Sequence, residues 1–190
     1  MEAFLVSTGV VLFGEMGDKT QLLAIILAAT FRKPWQIVAG IFTATVVNHA
    51  AAGAVGGWVA QALGPDILRW AIGISFLAMA AWMMIPDKID DDAAKTKHTF
   101  GAFGTTVLTF FLAEMGDKTQ IATVALAARY PDVVQVVMGT TLGMMLADAP
   151  AVFLGDKIAK KVSMKLVHTV AAAIFGVLGV LTLLNVGNLF

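Results

Sequence analysis

Apolar residues form six long runs along the chain, and short segments with proline, glycine or charged residues separate them. A helix needs about 20 mostly apolar residues to cross the hydrocarbon core of a bilayer, and each run is long enough. The pattern therefore predicts an all-α membrane protein with six transmembrane helices. The predicted helices cover residues 4–30, 35–62, 67–86, 100–128, 133–155 and 166–187.

The composition supports this fold class. Of the 190 residues, 58% are hydrophobic and 14% are charged, and the mean hydropathy is +0.83. Soluble domains are nearer to half apolar and a quarter charged, which argues against a water-soluble enzyme. The 13 basic residues balance 13 acidic ones, so no broad cationic surface indicates nucleic acid. The absence of cysteine excludes a disulfide scaffold and a thiolate zinc site.

The chain repeats itself at an offset of 99 residues. The seven residues of Glu15–Gln21 recur unchanged as Glu114–Gln120. Because each copy carries three predicted helices, the second copy crosses the membrane in the opposite direction. We therefore expect two inverted three-helix repeats, over 1–86 and 100–190, joined by a linker over 87–99. Secondary transporters with inverted repeats bind their substrates near the midplane, between the repeats.

Lysine and arginine residues are distributed unequally between the two sides of the predicted helices. Nine lie in the first, third and fifth connections, and two lie in the second and fourth. The positive-inside rule then predicts that both termini are outside and that the 87–99 linker is cytoplasmic.

The repeated motif places acidic residues deep in the membrane. A charged side chain at the bilayer centre costs at least about 2.5–3.5 kcal/mol and usually faces a cavity or a partner. On a continuous helix, residues 15, 18, 19 and 22 share one face, so Glu15 and Asp18 can converge on one ion. The same spacing favours an interaction between Glu15 and Lys19. Gly17 leaves the backbone exposed, where local unwinding would free a carbonyl ligand.

The two motif copies together form the candidate cation site. We predict metal ligands at Glu15, Asp18, Glu114 and Asp117, supporting oxygen ligands at Thr20, Gln21, Thr119 and Gln120, and charge tuning by Lys19 and Lys118. Four carboxylates and two ammonium groups leave a net charge of −2, which one divalent cation or two protons would cancel. Competition between metal and protons for the same groups is the minimal chemistry of cation/proton antiport.

Further polar residues lie within the second and fifth predicted helices. Asn48, His49 and Asp148 are candidates for a gate or a proton path, and Asp148 could also be a ligand. Asp148 aligns with His49 at the 99-residue offset and lies two residues before Pro150, which can kink the helix. The alternatives are an aspartate beside a water-filled vestibule and a hydrogen-bonded packing histidine.

The donor atoms restrict the cation. Carboxylate, amide and hydroxyl oxygens suit hard divalent ions, and Mg²⁺ releases its water reluctantly, which leaves Mn²⁺ or Ca²⁺. The ion is cargo, so no resident cofactor is expected. The predicted partners are the divalent metal ion, protons and the lipid bilayer, and the sequence leaves a homo-oligomer open. The alternative functions are a small-solute exporter of the amino-acid type and a passive cation channel.

The doubled Glu-Met-Gly-Asp-Lys-Thr motif resembles that of the Glu-x-Gly-Asp-Lys/Arg-Thr/Ser cation/proton exchanger family. This family includes the eukaryotic Golgi Mn²⁺/Ca²⁺ transporters and bacterial manganese exporters of the MneA type. The resemblance covers essentially the whole chain. It implies manganese export, with a cation site formed by the acids at 15, 18, 114 and 117. The short chain is similar to the bacterial members, which implies the bacterial inner membrane.

Overall fold

The computed structural model describes residues 1–85, 100–154 and 164–186. Within these ranges the regular structure is helical, as predicted, and the 87–99 linker lies outside them. The described residues form eight helices, which are α1 (Glu2–Glu15), α2 (Lys19–Phe31), α3 (Pro34–Ala62), α4 (Pro65–Trp82), α5 (Gly101–Glu114), α6 (Lys118–Arg129), α7 (Val133–Leu154) and α8 (Met164–Leu183). Proline at the start of α3 and α4 suits a position whose N–H has no partner within the helix.

Three of these helices are long and apolar enough to cross a membrane: α3, α7 and residues Lys165–Leu183 of α8. The helices α2 and α5 are apolar but shorter. The large exposed side chains include Phe42, Trp58 and Leu146, whereas the charged motif residues Glu15 and Glu114 are buried. A surface so rich in large apolar side chains agrees with a helical membrane protein.

The first and fourth predicted helices are each divided in two at the repeated motif. The helix α1 ends at Glu15 and α2 begins at Lys19, while α5 and α6 are divided in the same way. The φ angle is +82° at Gly17 and +76° at Gly116, in the left-handed region that favours glycine. The local unwinding expected at Gly17 is confirmed. The continuous helix with residues 15, 18, 19 and 22 on one face is wrong, because the helix stops at Glu15.

The helices repeat at the same offset as the sequence. The helices α1, α2, α3 and α4 begin 99 residues before α5, α6, α7 and α8, respectively. Tertiary contacts repeat as well. A Cβ at Gly40 of α3 would lie 2.7 Å from the Cβ of Thr106, and one at Gly139 of α7 would lie 3.0 Å from the Cβ of Ser7. These glycines permit the close approach of α3 to α5 and of α7 to α1.

Two buried apolar clusters join the divided helices to the other helices. One cluster includes Phe76 of α4 and Phe175 of α8, whose ring centroids are 6.1 Å apart. The other joins Leu23 of α2, Phe110 of α5 and Val152 of α7. The four acids of the two motif copies, Glu15, Asp18, Glu114 and Asp117, are buried.

Candidate cation site

The breaks in the two divided helices bring the motif acids together. Glu15 ends α1 and Glu114 ends α5, and their side chains are 0% and 1% exposed, respectively. Asp18 and Asp117 occupy the N-cap positions of the following helices and are also buried. One carboxylate oxygen from each of Glu15, Glu114 and Asp117 lies within 4.8 Å of the other two. We call these three residues the central triad.

Each glutamate of the central triad has one carboxylate oxygen held by a threonine. The Thr20 hydroxyl donates to Glu15 Oε2 at 2.7 Å, and the Thr119 hydroxyl donates to Glu114 Oε2 at 2.9 Å. Within the described ranges, the Oε1 atoms of both glutamates have no hydrogen-bond partner. The threonines thus orient the glutamates and leave one oxygen of each available to an ion.

The two glutamines of the motif stabilise the helix breaks. Gln21 Oε1 accepts a hydrogen bond from the Gly17 N–H at 3.1 Å, and Gln120 Oε1 accepts one from the Gly116 N–H at 2.7 Å. Gln21 Nε2 also donates to the carbonyl of Ala147 on α7 at 3.0 Å. In this structure, the side-chain oxygen of each glutamine therefore accepts a hydrogen bond from a backbone N–H.

Ion pairs cross between the two motif copies. Lys19 Nζ lies 3.1 Å from Asp117 Oδ1, and Lys118 Nζ lies 3.7 Å from Asp18 Oδ1. The expected Glu15–Lys19 pairing is wrong, because the break after Glu15 removes the i, i+4 relationship that would produce it. The two pairs also differ in exposure, since the Lys19 side chain is 27% exposed and that of Lys118 is 3% exposed.

The polar candidates of α3 and α7 fall into two groups. Asn48 Nδ2 donates to the carbonyl of Phe111 at 3.1 Å and so links α3 to α5. His49 and Asp148 are fully buried, and neither side chain has a hydrogen-bond partner in the described part of the chain. Neither belongs to the central triad.

Two buried hydroxyl groups on the same helices were not among the predicted site residues. Thr45 and Thr141 are buried, and their hydroxyls have no hydrogen-bond partner within residues 1–85, 100–154 and 164–186. Their position within apolar runs was the available signal, but a threonine usually satisfies its hydroxyl on its own helix.

Comparison with known proteins identifies the family. A family model described as "Divalent cation/proton antiporter GDT1" matches residues 3–91 and 102–188. The chain belongs to this antiporter family. The resemblance inferred from the doubled motif is thus confirmed, and the chain is a member of a transporter family.

Individual relatives match this chain over most of its length. It is 47% identical over 176 residues to a "Putative manganese exporter" of Vibrio cholerae serotype O1, with 92% of this chain and 87% of the relative covered. It is 28% identical to "GDT1-like protein 3" of Oryza sativa subsp. indica, covering 92% and 71%. It is 26% identical to "GDT1-like protein 5" of Arabidopsis thaliana, covering 97% and 96%. No solved structure gives a significant match.

The geometry of the central triad suits a hard divalent ion. Oxygen ligands of Ca²⁺ lie about 2.3–2.6 Å from the metal, so two ligands on opposite sides are about 5 Å apart. The triad oxygens, all within 4.8 Å of one another, can therefore share one ion. Small adjustments of the side chains would also accommodate the shorter bonds of a smaller cation.

Proposed function

We propose that this antiporter exports Mn²⁺ from the bacterial cytoplasm across the inner membrane in exchange for protons. The observation that supports this function is the buried central triad at the two helix breaks. Three carboxylate groups and no thiolate form a site for a hard divalent ion. Family membership supports antiport, and the name of the Vibrio cholerae relative supports manganese as the cargo.

The charges around the site support exchange with protons. Each lysine of the motif is paired with an aspartate of the other copy, so the two ion pairs are neutral. Among the residues that the structure describes, Glu15 and Glu114 then remain as buried acids without a cationic partner of their own. A buried carboxylate is strongly destabilised unless a cation or a proton neutralises it. One divalent ion or two protons can satisfy both glutamates, and this is the competition that antiport requires.

We place the divided helices in the membrane as two discontinuous spans. In this arrangement α1 with α2 forms one span and α5 with α6 forms another, and α3, α4, α7 and α8 are the remaining four. The common offset of the helix starts supports two inverted repeats, 1–86 and 100–190, joined by 87–99. Discontinuous helices at the midplane are the usual place for ion sites in such transporters.

The orientation follows from the loop charges. The connections rich in lysine and arginine face the cytoplasm in our proposal, so both termini lie outside. The helices α1 and α7 then run from the outside towards the cytoplasm. The helices α3 and α5 run in the opposite direction.

Flux measurements on the purified protein in liposomes test this function. We expect Mn²⁺ movement against its own gradient when a pH gradient is imposed, and a pH change in the lumen when a Mn²⁺ gradient drives the reaction. Mn²⁺ flux that neither moves protons nor responds to pH would instead identify a passive channel. Ca²⁺ added as a competitor measures the preference between the two hard cations.

A further inference from the structure

The two halves of the protein differ in charge at one pair of equivalent buried positions. Asp148 of α7 lies 99 residues after His49 of α3. Both side chains are fully buried, and the side-chain polar atoms of both have no hydrogen-bond partner among the described residues. The protein thus carries an acid in one half where the other half carries an imidazole.

The helices α1 and α7 lie side by side and run in the same direction. A Cβ at Gly139 would lie 3.0 Å from the Cβ of Ser7, and one at Gly143 would lie 2.9 Å from the backbone nitrogen of Leu12. Four residues along α7 therefore correspond to about one turn along α1. We extend this register between the two helices by one more turn, towards the C-terminal end of α1.

That extension brings Asp148 to the level of Glu15. The hydrogen bond from Gln21 Nε2 to the carbonyl of Ala147 attaches the first turn of α2 at the same level. Asp148 therefore adjoins the central triad without belonging to it.

The equivalent contacts between α3 and α5 place His49 at the level of Glu114. The hydrogen bond from Asn48 to the carbonyl of Phe111 joins α3 to α5 one turn before α5 ends at Glu114. The helices α3 and α7 are antiparallel, since Gly53 faces Val137 and Gly57 faces Val133.

Asp148 and His49 therefore lie on opposite sides of the membrane midplane. In the proposed orientation, Asp148 is level with Glu15 and lies towards the cytoplasmic end of the central triad, because α7 runs from the outside towards the cytoplasm. His49 lies on the outer side.

We propose that Asp148, together with Glu15, forms a cytoplasm-facing cation position that the exported ion occupies before it reaches the central triad. Both oxygens of Asp148 are buried without hydrogen-bond donors in the described part of the chain. Carboxylates in such surroundings are stable when they bind a cation, and two neighbouring carboxylates favour a hard divalent one. The outer side has no acid at the equivalent position, so the apparent affinity for Mn²⁺ is higher from the cytoplasm. The sidedness rests on the proposed function and orientation.

Transport kinetics at each membrane face test the sidedness. The variant Asp148→Asn should raise the KM for Mn²⁺ at the cytoplasmic face by about tenfold, with a smaller change at the outer face, and Asp148→Glu should recover most of the affinity. The matched control is Asp132→Asn, which makes the same change at an exposed position before α7. Asp132 accepts hydrogen bonds from Gln135 N–H and Nε2, and asparagine can still accept from the backbone.

The double variant His49→Asp/Asp148→His exchanges the two side chains between the halves. It should move the higher apparent affinity to the outer face. If the folded double variant keeps the wild-type sidedness, the proposed position is wrong. This comparison also remains informative where Asp148→Asn fails to fold.

Equilibrium binding separates this inference from the proposed function. Manganese EPR titration of the purified protein should show weaker Mn²⁺ binding in Asp148→Asn than in the wild type, whether or not transport is measured. If Asp148→Asn binds Mn²⁺ as tightly as the wild type, the inference is overturned. The same conclusion holds if this variant binds Mn²⁺ normally but loses transport, because Asp148 would then carry a proton and not the metal ion. A wild-type protein that transports Mn²⁺ while Asp148→Asn is unaffected refutes this inference and leaves the proposed function standing.

Discussion

At the scale of single residues, the central triad depends on how each carboxylate is oriented. Threonine holds one oxygen of each buried glutamate, and the second oxygen has no hydrogen-bond partner in the described ranges. A carboxylate that is oriented before the ion arrives loses less freedom on binding. The threonines are thus comparable to the outer-shell groups that orient metal ligands in enzymes.

The glutamates themselves are the first test of the site. Glu15→Gln or Glu114→Gln removes one negative charge and one ion-binding oxygen from a buried position, so we expect Mn²⁺ transport to fall to background. Glu2→Gln makes the same change at the exposed start of α1 and should transport normally. Mn²⁺ uptake by liposomes and membrane insertion of each variant are the measurements. Normal transport by a glutamate variant would contradict the assignment.

The threonines allow a finer test. Thr20→Val removes the donor to Glu15 while keeping the shape of the side chain, and we expect the KM for Mn²⁺ to rise about tenfold. Thr20→Ser keeps the hydroxyl and should remain near wild type. Thr30→Val on the same helix is the control, because the Thr30 hydroxyl is exposed and donates to the carbonyl of Ile26 on its own helix. An equal loss in the Thr20 and Thr30 variants would indicate a general effect on α2.

At the scale of elements, the decisive feature is the break within each divided helix. Gly17 and Gly116 adopt left-handed backbone conformations, and the following glutamine caps each glycine N–H. The break turns the chain so that the aspartate and the lysine after it face the opposite motif. Crossed Lys–Asp pairs result, where a continuous helix would have paired Lys19 with Glu15.

Substitution of Gly116 tests how much the backbone conformation at the helix break affects the stability of the protein. Among the described residues other than its chain neighbours, no atom lies within 4 Å of a Cβ built at Gly116, so the φ of +76° is the main obstacle to a side chain there. Gly116→Ala should therefore destabilise the protein by about 1–2 kcal/mol. Gly9 of α1 has equally open surroundings but lies inside a helix, and Gly9→Ala should stabilise it by about 0.5–1 kcal/mol. Thermal unfolding in detergent measures both, and equal effects would argue against strain at the break.

At the scale of the whole molecule, the halves repeat in helix order and in contacts, yet they differ at the lysines and at the His49–Asp148 pair. Both side chains of the Lys118–Asp18 pair are buried, whereas the Lys19 side chain of the other pair is 27% exposed. The two halves of the structure therefore differ in the exposure and the charge of equivalent side chains. In transporters with inverted repeats the site opens to one side when one repeat moves against the other, so equivalent side chains such as the two lysines differ in exposure in any one state.

The orientation of the whole molecule can be tested by cysteine labelling, because the natural sequence contains no cysteine. Lys33→Cys lies at the predicted cytoplasmic connection before α3, and Asp132→Cys lies at the predicted outer connection before α7. Both positions are exposed. An impermeant maleimide added to intact cells should label Asp132→Cys only. Labelling of Lys33→Cys alone, or of both variants, would contradict the proposed topology.

Much of this protein could be predicted from the order of its residues. Continuous apolar runs require helices in a membrane, and a duplicated motif of acids within such runs requires a protected site. Gly17 between two acids indicated the break, because glycine is the residue that tolerates the turn. The family resemblance rested on the same doubled motif, and the comparisons confirm it.

Only the tertiary structure decided which side chains meet. The pairing of Lys19 with Asp117 and the level of Asp148 on α7 depend on how helices distant in sequence pack together. The hydrogen bond from Thr20 to Glu15 depends on the turn that the chain makes at the helix break. Spacing rules along one helix do not apply across a break, because the chain changes direction there. Hydrophobicity and repetition are properties of the sequence, whereas contacts between the repeats arise from packing in three dimensions.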